Sequence, residues 1–76
     1  MNPQTLRDHL QRQPFEPFRV ILSNGESFEI RHPEMAMILQ NNLLVGFQFS
    51  QEGFPERYQV LSLLHVAHLE PIQRVT

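Results

Sequence analysis

Apolar and polar residues alternate most regularly between positions 18 and 31. Phe18, Val20 and Leu22 recur at every second place with Arg19 between the first two, and after the turn Phe28 and Ile30 alternate with Glu29 and Arg31. A period of two sends successive side chains to opposite faces of an extended strand, so each run has one buried and one wet face, as in an antiparallel pair. Asn24-Gly25 between the runs predicts a type I′ turn, which needs positive φ at both central residues; Asn tolerates that conformation and Gly has no Cβ to resist it. Ile21 breaks the alternation, which a partly covered second face, or an edge on which another element packs, would explain.

Residues 2–12 carry the helical spacing instead. Leu6 and Leu10 lie four apart on one face, Asn2 suits the N-cap, and Pro3 suits the first helical position, where its missing N–H costs nothing. A helix this short is unstable alone, so it must lie on the sheet. Pro14 and Pro17 disfavour helical backbone at the residues before them and end it, with Phe15 between them as an anchor for the extended connector.

Beyond the hairpin, His32-Pro33-Glu34 breaks the chain, Met35–Leu39 suits either strand or helix, and Asn41-Asn42 marks a turn. Residues 43–49 read as a strand with Val45, Phe47 and Phe49 on one face, and Gly46 within it suggests a bulge or sharp bend. Residues 50–56 read as an exposed loop, Tyr58–Val60 opens another strand, 62–65 forms one tight helical turn, and 66–70 is a last strand ended by Pro71. Leu, Ala and His also permit a helix over 60–69, but turn plus strand is preferred. The sum is a mainly β (α+β) single domain: helix 2–12, then a five-stranded, strongly bent antiparallel sheet or partly open SH3-like barrel over 18–71, then a tail over 72–76 that frays over 73–76.

At 76 residues the core is small, and natural chains of this size often add disulfides, a metal or a partner subunit. The absence of cysteine excludes disulfides and thiolate metal sites, which leaves a homo-oligomer or another protein partner as the natural supplement. Residues 1–17 lack the apolar core of a secretory signal and no apolar run reaches membrane-span length, so the expectation is a cytoplasmic protein with no membrane association. Six arginines, no lysine and eight carboxylates give a net charge of −2, which disfavours nucleic acid as a partner because phosphate neutralisation supplies most of such affinity. Arg7, Arg12 and Arg19 are the one local basic grouping, with Asp8 and Glu16 available to pair with them.

The order of elements resembles the Sm-like fold, and Phe18-Arg19-Val20-Ile21-Leu22-Ser23-Asn24-Gly25-Glu26-Ser27-Phe28 is similar to the first Sm motif, in which alternating apolar residues precede a leucine, two turn residues and a glycine. That resemblance implies an oligomeric ring that binds RNA. The basic-glycine step of the second Sm motif should fall near His65-Val66-Ala67 and is missing there. The stretch Val60–Val66 also resembles the strand, tight turn and strand that end PRC-type and other SH3-like barrels. Over its whole length the chain resembles small uncharacterised bacterial proteins that share Gln-Pro-Phe-Glu-Pro-Phe, here 13–18, and Arg-His-Pro-Glu, here 31–34.

Catalytic residues are not indicated. There is no cysteine nucleophile, the serines lack a Gly-x-Ser-x-Gly context, and the three glycines are isolated rather than grouped to cradle a phosphate, so no enzyme activity and no cofactor are expected. His32 and Glu34 suit a metal or proton site in type, but two ligands are too few for a structural zinc site, and Pro33 between them more simply fixes a bend. His65 and His68 would share a face only on a helix. No metal site is assigned. Phe47, Phe49, Phe54 and Tyr58 gather around the loop at 50–56; either Phe47 and Phe49 are core and Phe54 caps the barrel, or exposed rings there form a contact surface. Phe54, Tyr58, Arg19 and His32 are therefore the candidate interaction residues of a binding module that takes a protein partner or itself through sheet edges, the apolar residues at 43–49 and 58–66 being suited to strands that add to a neighbour's sheet, with an Sm-like RNA-binding ring and a small ligand or metal site at His32/Glu34 as alternatives.

Overall fold

The computed structural model describes residues 1–72; the expected fraying of 73–76 lies outside the described residues. Helix α1 (Pro3–Gln11) begins as expected, with the Asn2 side chain accepting the Gln4 N–H at 2.9 Å and proline at the first helical position. Leu6 on its inner face is fully buried and Leu10 is half-buried, and His9 meets Phe18 edge-on with ring centres 5.2 Å apart. Phe15 is the anchor its position suggested: it packs against the core with its ring 6.1 Å from that of Phe18.

Six strands follow, in two three-stranded antiparallel sheets, where five strands in one bent sheet or barrel were expected. One sheet has the order β2 (Ser27–Ile30), β1 (Phe18–Leu22), β6 (Val66–Pro71); the other has β3 (Ala36–Ile38), β4 (Asn42–Phe49), β5 (Pro55–Ser62). The extra strand comes from 35–39, which composition left open between strand and helix. A 3-10 turn over Pro33–Met35 carries the chain from β2 to β3 and so from one sheet to the other, with Pro33 fixing the backbone where its missing N–H is harmless. A second 3-10 turn, Leu63–His65, returns the chain from β5 to β6, capped by the Ser62 hydroxyl accepting the Leu64 N–H, and the helical alternative for 60–69 is not adopted.

Both longer hairpins close with the same three-residue loop. At Leu22–Glu26 the Gly25 N–H donates to the Leu22 carbonyl at 2.9 Å and the Leu22 N–H to the Glu26 carbonyl at 2.8 Å, with φ +92° at Gly25 alone. This is a type I turn followed by a left-handed glycine, in place of the expected type I′ turn: Asn24 keeps negative φ and its side chain accepts the Glu26 N–H at 2.9 Å. Ser50–Phe54 repeats the pattern, with Gly53 at φ +88° and the Ser50 N–H donating to the Phe54 carbonyl at 2.7 Å. The loop expected over 50–56 is therefore shorter, and β5 already begins at Pro55. Gly46 makes no bulge, since pairing runs unbroken from Asn42–Ser62 to Phe47–Arg57; the residue with unusual backbone is Gln48, at φ +56°.

The core lies between the inner faces of the two sheets. Phe18, Val20, Leu22, Ile30 and Val66 come from one sheet, Leu43, Val45 and Leu61 from the other, and Leu6 and Leu63 close the ends. The expected alternation of β1 holds at every position, with Ile21 half-buried on the outer face between Ser27 and His68. Opposite the break in register between Ile21 and Leu22, Ala67 is the extra residue on β6. No helix among the described residues is long and apolar enough to cross a membrane.

Candidate functional site

The two outer faces have opposite chemistry. On the sheet of β2, β1 and β6, register places Glu29, Arg19 and Glu70 in one row. Arg19 pairs with Glu70 at 3.3 Å, Arg31 pairs with Glu29, and His68 Nε2 lies 3.5 Å from Glu70. Arg12 pairs with Glu16 at 3.0 Å, so two arginines of the possible basic grouping are matched by carboxylates. This face is charged, paired and at home in water.

The outer face of β3, β4 and β5 is apolar in its middle, with Asn42 and Ser62 at one end and Glu56 at the other. Register aligns Met37, Leu44 and Val60 across all three strands, and the next outer position of β5 is Tyr58, opposite Gly46. Residues aligned across neighbouring strands approach to about 4.5–5.5 Å between Cβ atoms, so Met37, Leu44 and Val60 form one continuous stripe. The stripe is open to solvent: Met37 is 59% exposed, Val60 48% and Tyr58 68%. Phe54 at the hairpin tip is 70% exposed and Phe49 is also exposed, so neither the core assignment of Phe49 nor the capping role of Phe54 holds.

β5 has a free edge among the described residues, where it bonds only to β4. The Leu39 N–H donates to the Asn42 carbonyl, which directs the backbone polar groups of Asn42 and Leu44 toward β3 and those of Leu43 and Val45 toward β5. Their partners Leu61 and Gln59 therefore face β4, and the Leu63 N–H bonding to the Asn41 carbonyl at 3.0 Å continues that alternation. Tyr58 and Val60 are left with their side chains on the apolar face and their N–H and C=O groups along the free edge. A groove of about 360 Å³ runs beside this edge, between Gln59–Ser62 and the first hairpin turn, with Glu26 and His65 on its walls. The turn is held there by Ser23, whose N–H donates to the His65 carbonyl at 2.8 Å.

The chain matches no protein-family model, and no curated protein or solved structure is significantly similar to it.

Of the four candidate residues, Phe54 and Tyr58 both belong to the β4–β5 hairpin. Arg19 sits on the opposite, charged sheet, and His32 is exposed where β2 gives way to the 3-10 turn, so the four form no single site. His65 lies in the second 3-10 turn and His68 on β6, and no group of three His, Asp or Glu side chains among the described residues is placed to hold a metal ion. Sequence reasoning reached Leu44 and Val60 only as part of the apolar stretches 43–49 and 58–66 suited to a sheet edge, and it missed Met37 and the row the three form. Their signal is present in Leu43-Leu44-Val45 and Val60-Leu61, runs apolar at both parities, which in an antiparallel strand means that both faces are apolar.

Proposed function

We propose that this chain is a non-catalytic cytoplasmic interaction module, a small SH3-like barrel in architecture, that binds an extended polypeptide along the free edge of β5 and covers the adjoining apolar face. One observation carries the reading: the Met37–Leu44–Val60 stripe runs across the sheet and ends at Val60, which with Tyr58 lies on the strand edge whose outward backbone groups have no partner among the described residues. Strand addition uses that combination, with main-chain hydrogen bonds supplying affinity and side chains of one parity supplying specificity. A long apolar edge left bare is otherwise an aggregation hazard. Light scattering over a concentration series tests the reading: mass should rise with concentration, Val60→Glu should hold the chain at monomer mass, and Ser27→Glu on the charged sheet should leave the rise intact. Equal loss in both variants, or no effect of Val60→Glu, would contradict it.

The order of helix, strands and a 3-10 turn before the last strand also favours an Sm-like RNA-binding ring as a second reading. The paired charges on the outer face of β2, β1 and β6 count against it. Binding of oligo-U or oligo-A at low salt would establish it, and no binding would remove it.

A further inference from the structure

Resting on the reading of β5 as the binding edge, we propose that its occupant is a second copy of this chain, paired β5 to β5 antiparallel about a two-fold axis at Gln59. The two three-stranded sheets then join into one sheet of six strands. A two-fold contact requires a patch that complements itself, and β5 has a limited choice of registers. Tyr58 and Val60 turn their backbone groups outward, so they exchange hydrogen bonds only with residues of their own parity, which permits every second register.

Like charges directly across a strand pair are destabilising, and this selects among the permitted registers. Setting Glu56 against the partner's Glu56 opposes two carboxylates, and the next register opposes Arg57 to the partner's Arg57. Setting Tyr58 against the partner's Tyr58 still leaves the two Arg57 diagonal neighbours. One step further, Tyr58 faces the partner's Val60 and Val60 faces the partner's Tyr58, while the two Arg57 separate by four residues along the strand, about 13 Å. A further step sets Val60 against the partner's Val60 and Tyr58 against the partner's Ser62, keeping one apolar pair in place of two and losing both aromatic–β-branched pairs. In the favoured register the Met37–Leu44–Val60 row continues into the partner's Tyr58, and the symmetric row runs back the other way. The partner's Arg57 then lies opposite Leu61, entering the groove of about 360 Å³ whose far wall carries Glu26, so the charges there are opposite.

The chain contains no cysteine, which allows single-cysteine cross-linking of the full chain. At Gln59 the two copies meet as a non-hydrogen-bonded pair, with Cα atoms about 4.5 Å apart, inside the roughly 4.4–6.8 Å that a disulfide spans. Under mild oxidation Gln59→Cys should form a covalent dimer on the order of tenfold faster than Arg57→Cys or Tyr58→Cys, and light scattering of the unmodified chain should reach twice the monomer mass. Monomer mass at millimolar concentration would overturn the dimer, as would faster cross-linking of either other variant. Val60→Glu, checked for folding by circular dichroism, separates this inference from the reading beneath it. If that variant abolishes self-association while Gln59→Cys fails to cross-link, the edge reading stands and this dimer falls. If self-association survives Val60→Glu unchanged, both fall.

Discussion

At Gly46 the lack of a side chain lets the β4–β5 hairpin fold over itself. A Cβ built there would lie 3.0 Å from Pro55 Cβ and 3.3 Å from Pro55 Cγ. The proline ring is fused to the backbone and has no rotamer with which to move aside, so the strand itself must shift. Gly46→Ala is expected to destabilise the chain by about 1–3 kcal/mol, the usual range for overpacking, measured as a lower urea midpoint; an unchanged midpoint would mean that the hairpin tip yields freely. Gly25 contrasts with it, having open space around its Cβ position and only its φ of +92° to require glycine. That requirement was legible in Asn24-Gly25, but the turn type was not, because a two-residue and a three-residue loop use the same dipeptide and differ only in which residues pair across the strands. Gly46 was legible as unusual, but its cause is Pro55, nine residues on and brought near only by the hairpin.

Among the elements, α1 adds a single fully buried side chain to the core, Leu6. Leu6 has no exposed surface and His9 packs on Phe18, so the helix seals one end of the space between the sheets. Leu6→Ala should cost about 2–5 kcal/mol, a large share of the roughly 5–15 kcal/mol that holds a domain together. Thermal unfolding by circular dichroism would register it as a large fall in Tm, and a small one would mean that α1 is peripheral. The helix, its cap, the first hairpin and the 3-10 turn before β6 were all legible, since each rests on local signals: spacing, Asn2-Pro3, Asn-Gly, and Ser62 ahead of two leucines. The strand over Ala36–Ile38 was not. Met, Ala, Ile and Leu fit helix and strand equally, and what decides is pairing with Leu43–Val45, a contact that composition does not encode.

For the whole molecule, the contrast between the two outer faces organises the account. One sheet carries Glu29, Arg19 and Glu70 in a row and needs nothing further; the other carries Met37, Leu44 and Val60 in a row that ends at the free edge of β5. Half of that surface was legible, through the aromatics of the 50–56 region, and Phe54 and Tyr58 are indeed exposed. The stretches 43–49 and 58–66 were legible as strands suited to a sheet edge, but the row was hidden because Met37, Leu44 and Val60 are far apart in sequence and adjoin only through the register of three strands. Apolar residues at both parities were the available clue, and they pass easily for core in a chain this short. Amide hydrogen exchange at two protein concentrations tests the central claim, that the edge of β5 is where this chain binds. The Tyr58 and Val60 amides should exchange slowly in the concentrated sample and quickly on dilution, with β2 and β6 unchanged. Protection that ignores concentration, or that changes at β2 or β6 in place of β5, would contradict it.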